Sequence, residues 1–286
     1  MNPPDGPARA WAGRGVALAL DLGTARTRTV VPGGSAILDR PSCVPSADGT
    51  AEPVWPIRHG MVASMAACHR LARTVLREAL DQAVGVSADP AGDGDPLGRV
   101  ARVLVGVPVA ATATERRAVR AAVGRAVDCP IVLVEEPLAA AIGCGVDVTA
   151  SRPRLLLDVG AGIIEAVVIS DAAVAEAGAL QVSCTASAGL PGHAVEAVTD
   201  LVADLVRRLP PHQRLGVRAG GLLLTGGGAA QQDLAGRLGA GLRLTVHPAA
   251  RPAHATIRGL TRLCLVPELA ERVTASEPID IMKGSV

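Results

Sequence analysis

One short pattern occurs twice in this chain, and few folds accommodate it. Leu18-Ala19-Leu20-Asp21-Leu22-Gly23-Thr24 and Leu155-Leu156-Leu157-Asp158-Val159-Gly160-Ala161-Gly162 share an apolar run, an Asp at its end and a glycine-containing turn into a second apolar run. An apolar run of this length, bounded by turn residues, reads as a buried strand, and the turn makes a tight hairpin. Two copies exclude a solenoid, which needs at least three stacked repeats. They point instead to two related lobes with a cleft between them, Asp21 and Asp158 facing each other across it.

The remaining patterns alternate strand and helix. Before the second copy, strands are expected at Thr27–Val31, Ser35–Leu38, Val103–Val107 and Ile131–Val134, with helices at Met65–Ala83, Ala113–Ala126 and Pro137–Ile142. The first helix shows its buried stripe in Met65, Cys68, Leu71, Val75, Leu76, Ala79 and Leu80, which recur at helical spacing. After the second copy come a strand at Ala166–Ile169, an amphipathic helix over His193–Leu209 stopped by Pro210-Pro211, a strand at Gly221–Thr225, and a helix over Ala229–Leu238. Such alternation implies an α/β fold with a mainly parallel sheet covered on both faces. The expected layout is a disordered tail (1–14), lobe I (15–148) completed by a helix at 253–272, and lobe II (149–252). Gly85–Gly98, with its Asp, Gly and Pro, reads as an acidic loop.

Composition removes several function classes. With 28 basic and 27 acidic residues the net charge is +1, so no long-range field draws in nucleic acid or an anionic surface. Phe and Tyr are absent, which leaves only Trp11 and Trp55 for base stacking. Nucleic-acid binding is therefore not expected. Six cysteines show no C-x-x-C pair and no zinc-like spacing to histidine, and read as reduced core residues. The segment before Val16 has neither the apolar core of a signal peptide nor an amphipathic period, and no apolar run is long enough to span a bilayer. A cytoplasmic protein is expected, with any membrane association limited to peripheral contact at the inner face.

The chemistry-bearing residues cluster at strand ends. An Asp followed by Gly and a small residue in a tight turn presents backbone N–H groups to phosphate oxygens beside a carboxylate able to hold magnesium through water. Leu224-Thr225-Gly226-Gly227-Gly228 is glycine-rich enough for a flat ligand to lie against the backbone. Glu135-Glu136-Pro137 ends one strand and opens a helix, where at least one carboxylate should face a cleft or a cation.

In this order the segments resemble the actin, sugar-kinase and heat-shock superfamily, and most specifically the MreB/Mbl family. The resemblance runs with gaps from Val16 to Cys264, and the string Val134-Glu135-Glu136-Pro137-Leu138-Ala139-Ala140-Ala141-Ile142-Gly143 carries it furthest. It implies an actin-like, ribonuclease H-like two-lobe fold with a nucleotide cleft, and ATP and magnesium as ligands. Asp21 and Asp158 would hold magnesium through water. Gly23, Thr24, Ala25, Gly160, Ala161 and Gly162 would face phosphates, and Gly226, Gly227 and Gly228 the adenosine. Glu136, with Asp158, would be catalytic by positioning the attacking water.

The departures matter too. Arg26 replaces an asparagine usual in the family, and Ile163-Ile164 replace two threonines, which places bulk beside a phosphate site and removes a hydroxyl that helps position the water. The spans Ser46–Pro56 and Ser170–Gly220 are short where the family carries outer subdomains. At most a slow ATPase follows, filament-forming with itself or with full-length MreB and linked to cell-wall or spore-wall synthesis. The alternative is a catalytically degenerate actin-fold scaffold or regulator of such filaments.

Overall fold

The computed structural model describes residues 15–34, 36–46, 49, 52–84, 95–181, 189–275 and 282–285. The expected tail, Ser35, residues 85–94 of the acidic loop and Cys184 lie outside the described residues.

The first copy of the repeat opens a meander of β1 (Val16–Leu22), β2 (Arg26–Val30) and β3 (Leu38–Pro41), antiparallel in both pairings. A small hairpin of β4 (Ile57–Arg58) and β5 (Met61–Val62) follows, then α1 (Met65–Val84), β6 (Val100–Val107), α2 (Ala113–Gly124), β7 (Ile131–Glu135) and α3 (Glu136–Gly143). The second copy opens β8 (Arg154–Val159), β9 (Ile164–Ser170) and β10 (Ala173–Gln181), again antiparallel in both pairings. After these come α4 (Gly192–Arg208), α5 (Pro211–Gly220), β11 (Leu222–Thr225), α6 (Leu234–Leu242), β12 (Val246–Pro248), α7 (Ala255–Leu265), α8 (Pro267–Thr274) and β13 (Met282–Ser285).

The internal repeat is a repeat of topology. One sheet runs β3-β2-β1-β6-β7, and the other runs β12-β11-β8-β9-β10 with β13 added beyond β10. Numbered from its own Asp-bearing strand, each five-strand set reads third, second, first, fourth, fifth. In both, the fourth strand lies parallel to the first, β6 to β1 and β11 to β8. Both sheets are mixed in direction and flanked by helices.

Two compact units contain the two sheets. One holds residues up to Val107 with Ala111–Val134 and Leu260–Ala275; the other holds Pro108–Ala110 with Glu135–Gly259 and Ser276–Val286. The first core is built where α1 lays Cys68, Leu71, Ala72, Val75 and Leu76 onto Leu18, Leu20, Val103 and Val105. The second sets Val195, Val198, Val202 and Leu205 of α4 against Leu155, Leu157, Ile164, Ala166 and Val168. Each fully buried Leu or Val contributes about 1.5–3 kcal/mol by leaving water.

Several boundaries differ from expectation for local reasons. The units part at Val134/Glu135 rather than near residue 149, because α3 packs on β8 and β9, the strands that follow it. Helix 253–272 is two helices: Pro267 has no N–H to continue α7 and instead starts α8, where none is needed. Pro210-Pro211 does end α4, but Pro211 also opens α5 on the same principle. β3 starts only at Leu38, because the Gly33 turn, closed by Gly34 N–H to Val31 O at 2.8 Å, extends the loop. The glycines at 226–228 lead into a single 3₁₀ turn, and Asp233 in the left-handed region delays α6 to Leu234. Among the described residues of the two short spans, the first has no helix or strand, its Val54 forming an isolated bridge back to Val44, and the second holds β10, α4 and α5. Among the described residues no helix is long and apolar enough to cross a membrane.

Candidate functional site

The two hairpins fold alike to the residue. Leu22 pairs with Thr27 and Val159 with Ile164, so each turn spans four residues, 23–26 and 160–163. A Cβ on Gly23 would sit 2.7 Å from the Arg26 carbonyl oxygen, and one on Gly160 2.7 Å from that of Ile163. Glycine is required at both because the turn folds its own backbone over that position. By this register Thr24 corresponds to Ala161, Ala25 to Gly162, Arg28 to Glu165 and Asp21 to Asp158.

The first hairpin is neutralised from within. Asp21 is buried, and burial pushes its carboxyl up to about 6, against the pull of the Arg28 guanidinium 3.5 Å away. Arg28 is shared, donating also to Asp39 at 3.1 Å, while Arg26 donates to the same carboxylate at 2.7 Å. Burial works against the Asp39 charge, but the two guanidinium groups outweigh it and hold Asp39 below the usual carboxylate range. The Thr24 hydroxyl accepts the Gly60 N–H at 2.9 Å, which ties the turn to the β4–β5 hairpin. Ser42 bridges the base of the turn, 2.6 Å from Gly23 O and 2.8 Å from Thr27 Oγ1. Gly23 and Thr24 are half-buried and Ala25 is exposed.

The second hairpin is acidic where the first is paired. Asp158 lies opposite Glu165 across the β8–β9 ladder, and both are buried. Burial drives Glu165 up to about 8; the Ala110 N–H, 2.9 Å from its Oε1, works the other way, Asp158 adds to the rise, the Val109 N–H opposes it, and Glu135 adds again. Thr225, which pairs with Asp158 on the other side, delivers Gly226 directly over it. Gly226 has φ +85°, and a Cβ there would overlap Asp158 Oδ1 and the Val159 carbonyl. The 226–228 turn and the Asp158 hairpin are thus one assembly. Gly160, Ala161, Gly226 and Gly228 are half-buried, Gly162 is buried and Gly227 is exposed. Glu136 is the first residue of α3, half-buried beside Glu135, where the helix N-terminus favours negative charge.

One expectation fails. Ile164 does not flank a phosphate site, because it points into the second core, fully buried with Ala166 and Val168. Strand alternation puts Glu165 on the opposite face. Two charged residues that the sequence reading passed over, Arg28 and Glu165, set the electrostatics of the hairpins. Their signal was available: each is a charged side chain inside a strand, at the position opposite the Asp.

The donor sets suit a magnesium–polyphosphate ligand. Burial holds the Asp21 carboxyl up despite Arg28, and burial, with Asp158 and Glu135 adding to it, holds Glu165 up, so a cation beside either hairpin would favour the ionised carboxylates.

The model of the MreB/Mbl protein family matches residues 15–187, more than half of the chain. The chain belongs to the MreB/Mbl family. The cell shape-determining protein MreB of Escherichia coli (strain K12) is 29% identical over 177 residues, 54% of this chain and 48% of that protein. MreB of Pasteurella multocida is 32% identical over 173 residues, again 54% of this chain and 47% of the relative. The match to these MreB proteins therefore spans about half their length. In fold, the chain is similar to MreB5 of Spiroplasma citri bound to AMPPNP, with a TM-score of 0.72, 17% identity and coverage of 90% of this chain and 98% of that one. It is also similar to the MamK double helical filament, with a TM-score of 0.65, 16% identity and coverage of 87% and 98%.

Proposed function

We propose that this MreB-family chain binds ATP with magnesium and works in the cytoplasm, at the inner face of the membrane, in filaments that set cell shape through wall synthesis. The observation that carries this reading is the pair of matched hairpins, each with a buried Asp in the same register, one of them capped by the Gly226 turn. In the first unit Asp21 would hold magnesium through water and the turn 23–25 would offer backbone N–H groups to phosphates; in the second, Asp158 and the turn 160–162 would do the same, and Gly226–Gly228 would lie along the adenosine. Bound magnesium supplies charge neutralisation for the polyphosphate. Glu136, at a helix N-terminus, would orient the attacking water by accepting a hydrogen bond from it. The reading draws support from the S. citri MreB5 structures with AMPPNP and ADP, and from the MamK filament for self-association.

Turnover is slow. Arg28 already pairs with Asp21, and Ala161 and Ile163 offer no hydroxyl to share the water with Glu136. Loss of one positioned donor costs roughly 10²–10³ in rate. These same features favour the second reading, a scaffold or regulator that binds nucleotide without turning it over and associates with full-length MreB.

Titration with a fluorescent ATP analogue, with and without magnesium, alongside phosphate release and pelleting, separates the readings. Saturable magnesium-dependent binding with slow release that Glu136→Ala abolishes supports the first. Binding without release, with pelleting only alongside full-length MreB, supports the second. No binding at millimolar nucleotide would refute both.

A further inference from the structure

β10 is paired with β9 along its length, from Ala173↔Ser170 to Leu180↔Ile164. Among the described residues its other edge is paired only over Gly178–Gln181, where β13 lies parallel in the register Gly178↔Met282, Ala179↔Lys283, Leu180↔Gly284 and Gln181↔Ser285.

The two halves of that edge differ in chemistry. Between Ala173 and Ala177 the β9–β10 ladder shifts register at Val174/Glu176, and Glu176 carries an ion pair with Arg208 at 3.6 Å. A register irregularity and a charge are both devices that discourage a further strand from adding to an exposed edge. Gly178-Ala179-Leu180 has neither. Its pairing to Ala166, Glu165 and Ile164 is regular, its side chains are uncharged, and Ala179 and Leu180 are buried. The guarded half has no strand beside it among the described residues, and the unguarded half is the one β13 covers.

We propose that the Gly178–Gln181 edge is a strand-accepting site and that β13 is its removable plug, so that the same segment of a second copy takes the edge when the copies are crowded. Main-chain hydrogen bonding supplies the affinity in such strand addition, and the sequence that fits in cis fits equally in trans. Cis closure wins in dilute solution because a short tether gives β13 an effective concentration in the millimolar range. A ladder of four pairs is short enough to open and reclose. The reading does not depend on nucleotide binding.

The test uses the full chain, unaltered and with Lys283→Pro plus Gly284→Pro. Successive N–H groups of a strand point to opposite sides, so the double substitution removes a ladder donor whichever residue supplies it. The probe is a labelled peptide of residues 276–286, followed by fluorescence anisotropy. The Pro-Pro chain should bind it saturably, the unaltered chain at least about tenfold more weakly because its own plug competes, and a peptide carrying both prolines should bind neither. Refolded from urea at high concentration, the unaltered chain should yield dimers that the Pro-Pro chain does not. Equal peptide binding by the two chains, no binding by the Pro-Pro chain, or dimers formed equally by both or by neither would overturn the proposal.

Discussion

Replacing Glu165 with Gln isolates one buried proton. Glu165 is 2% exposed and burial raises it from 4.5 to about 8, so between those values the folded chain keeps a proton that the unfolded chain has lost. Unfolding then releases a proton, and stability contributed below pH 4.5 drains away as pH rises toward the folded value. At 1.36 kcal/mol per pH unit the loss between pH 5 and pH 8 is about 3 kcal/mol. Gln keeps an acceptor for the Ala110 N–H, places an amide donor where the acid carried its O–H, and cannot ionise. Urea unfolding of the two chains across pH 5–9 should give similar stabilities at pH 5, with the Gln chain pulling ahead by about 3 kcal/mol at pH 8. Parallel stability curves, or a Gln chain that is the weaker at pH 8, would refute the placement of Glu165 as a buried, proton-holding neighbour of Asp158.

Three further outcomes follow from the geometry. Ile164→Thr buries a hydroxyl in the second core and should cost about 2–4 kcal/mol in urea unfolding; a cost under about 0.5 kcal/mol would contradict its core position. Gly226→Ala must take a backbone conformation reserved for glycine and overlap Asp158, so it should lose about 2–4 kcal/mol and weaken nucleotide titration, and an unchanged chain would show that the turn does not sit over the carboxylate. Thr24→Val removes the acceptor of the Gly60 N–H and should cost about 1 kcal/mol with faster amide exchange at Gly60, whereas Thr24→Ser should restore protection.

The sequence by itself determined the two hairpins, because an apolar run, a strand-end Asp and a turn glycine are local requirements that neighbours in the chain satisfy. It likewise determined α1 and α4, whose stripes show at helical spacing, and the family, through the string around Glu136. What it did not determine lies across ladders. That Arg28 pairs with Asp21 while Glu165 joins Asp158 follows from register, which aligns residues seven positions apart on two strands. The assignment of Ile164 to the core follows from which face of β9 meets α4, and the identical residue type at 163 carries no such information. The break at Pro267, the transfer of α3 to the second unit and the seating of β13 on β10 were likewise decided only in the tertiary structure. Each depends on apolar faces and backbone edges finding partners far along the chain, and burial then sets the charge state of the few polar groups caught between them.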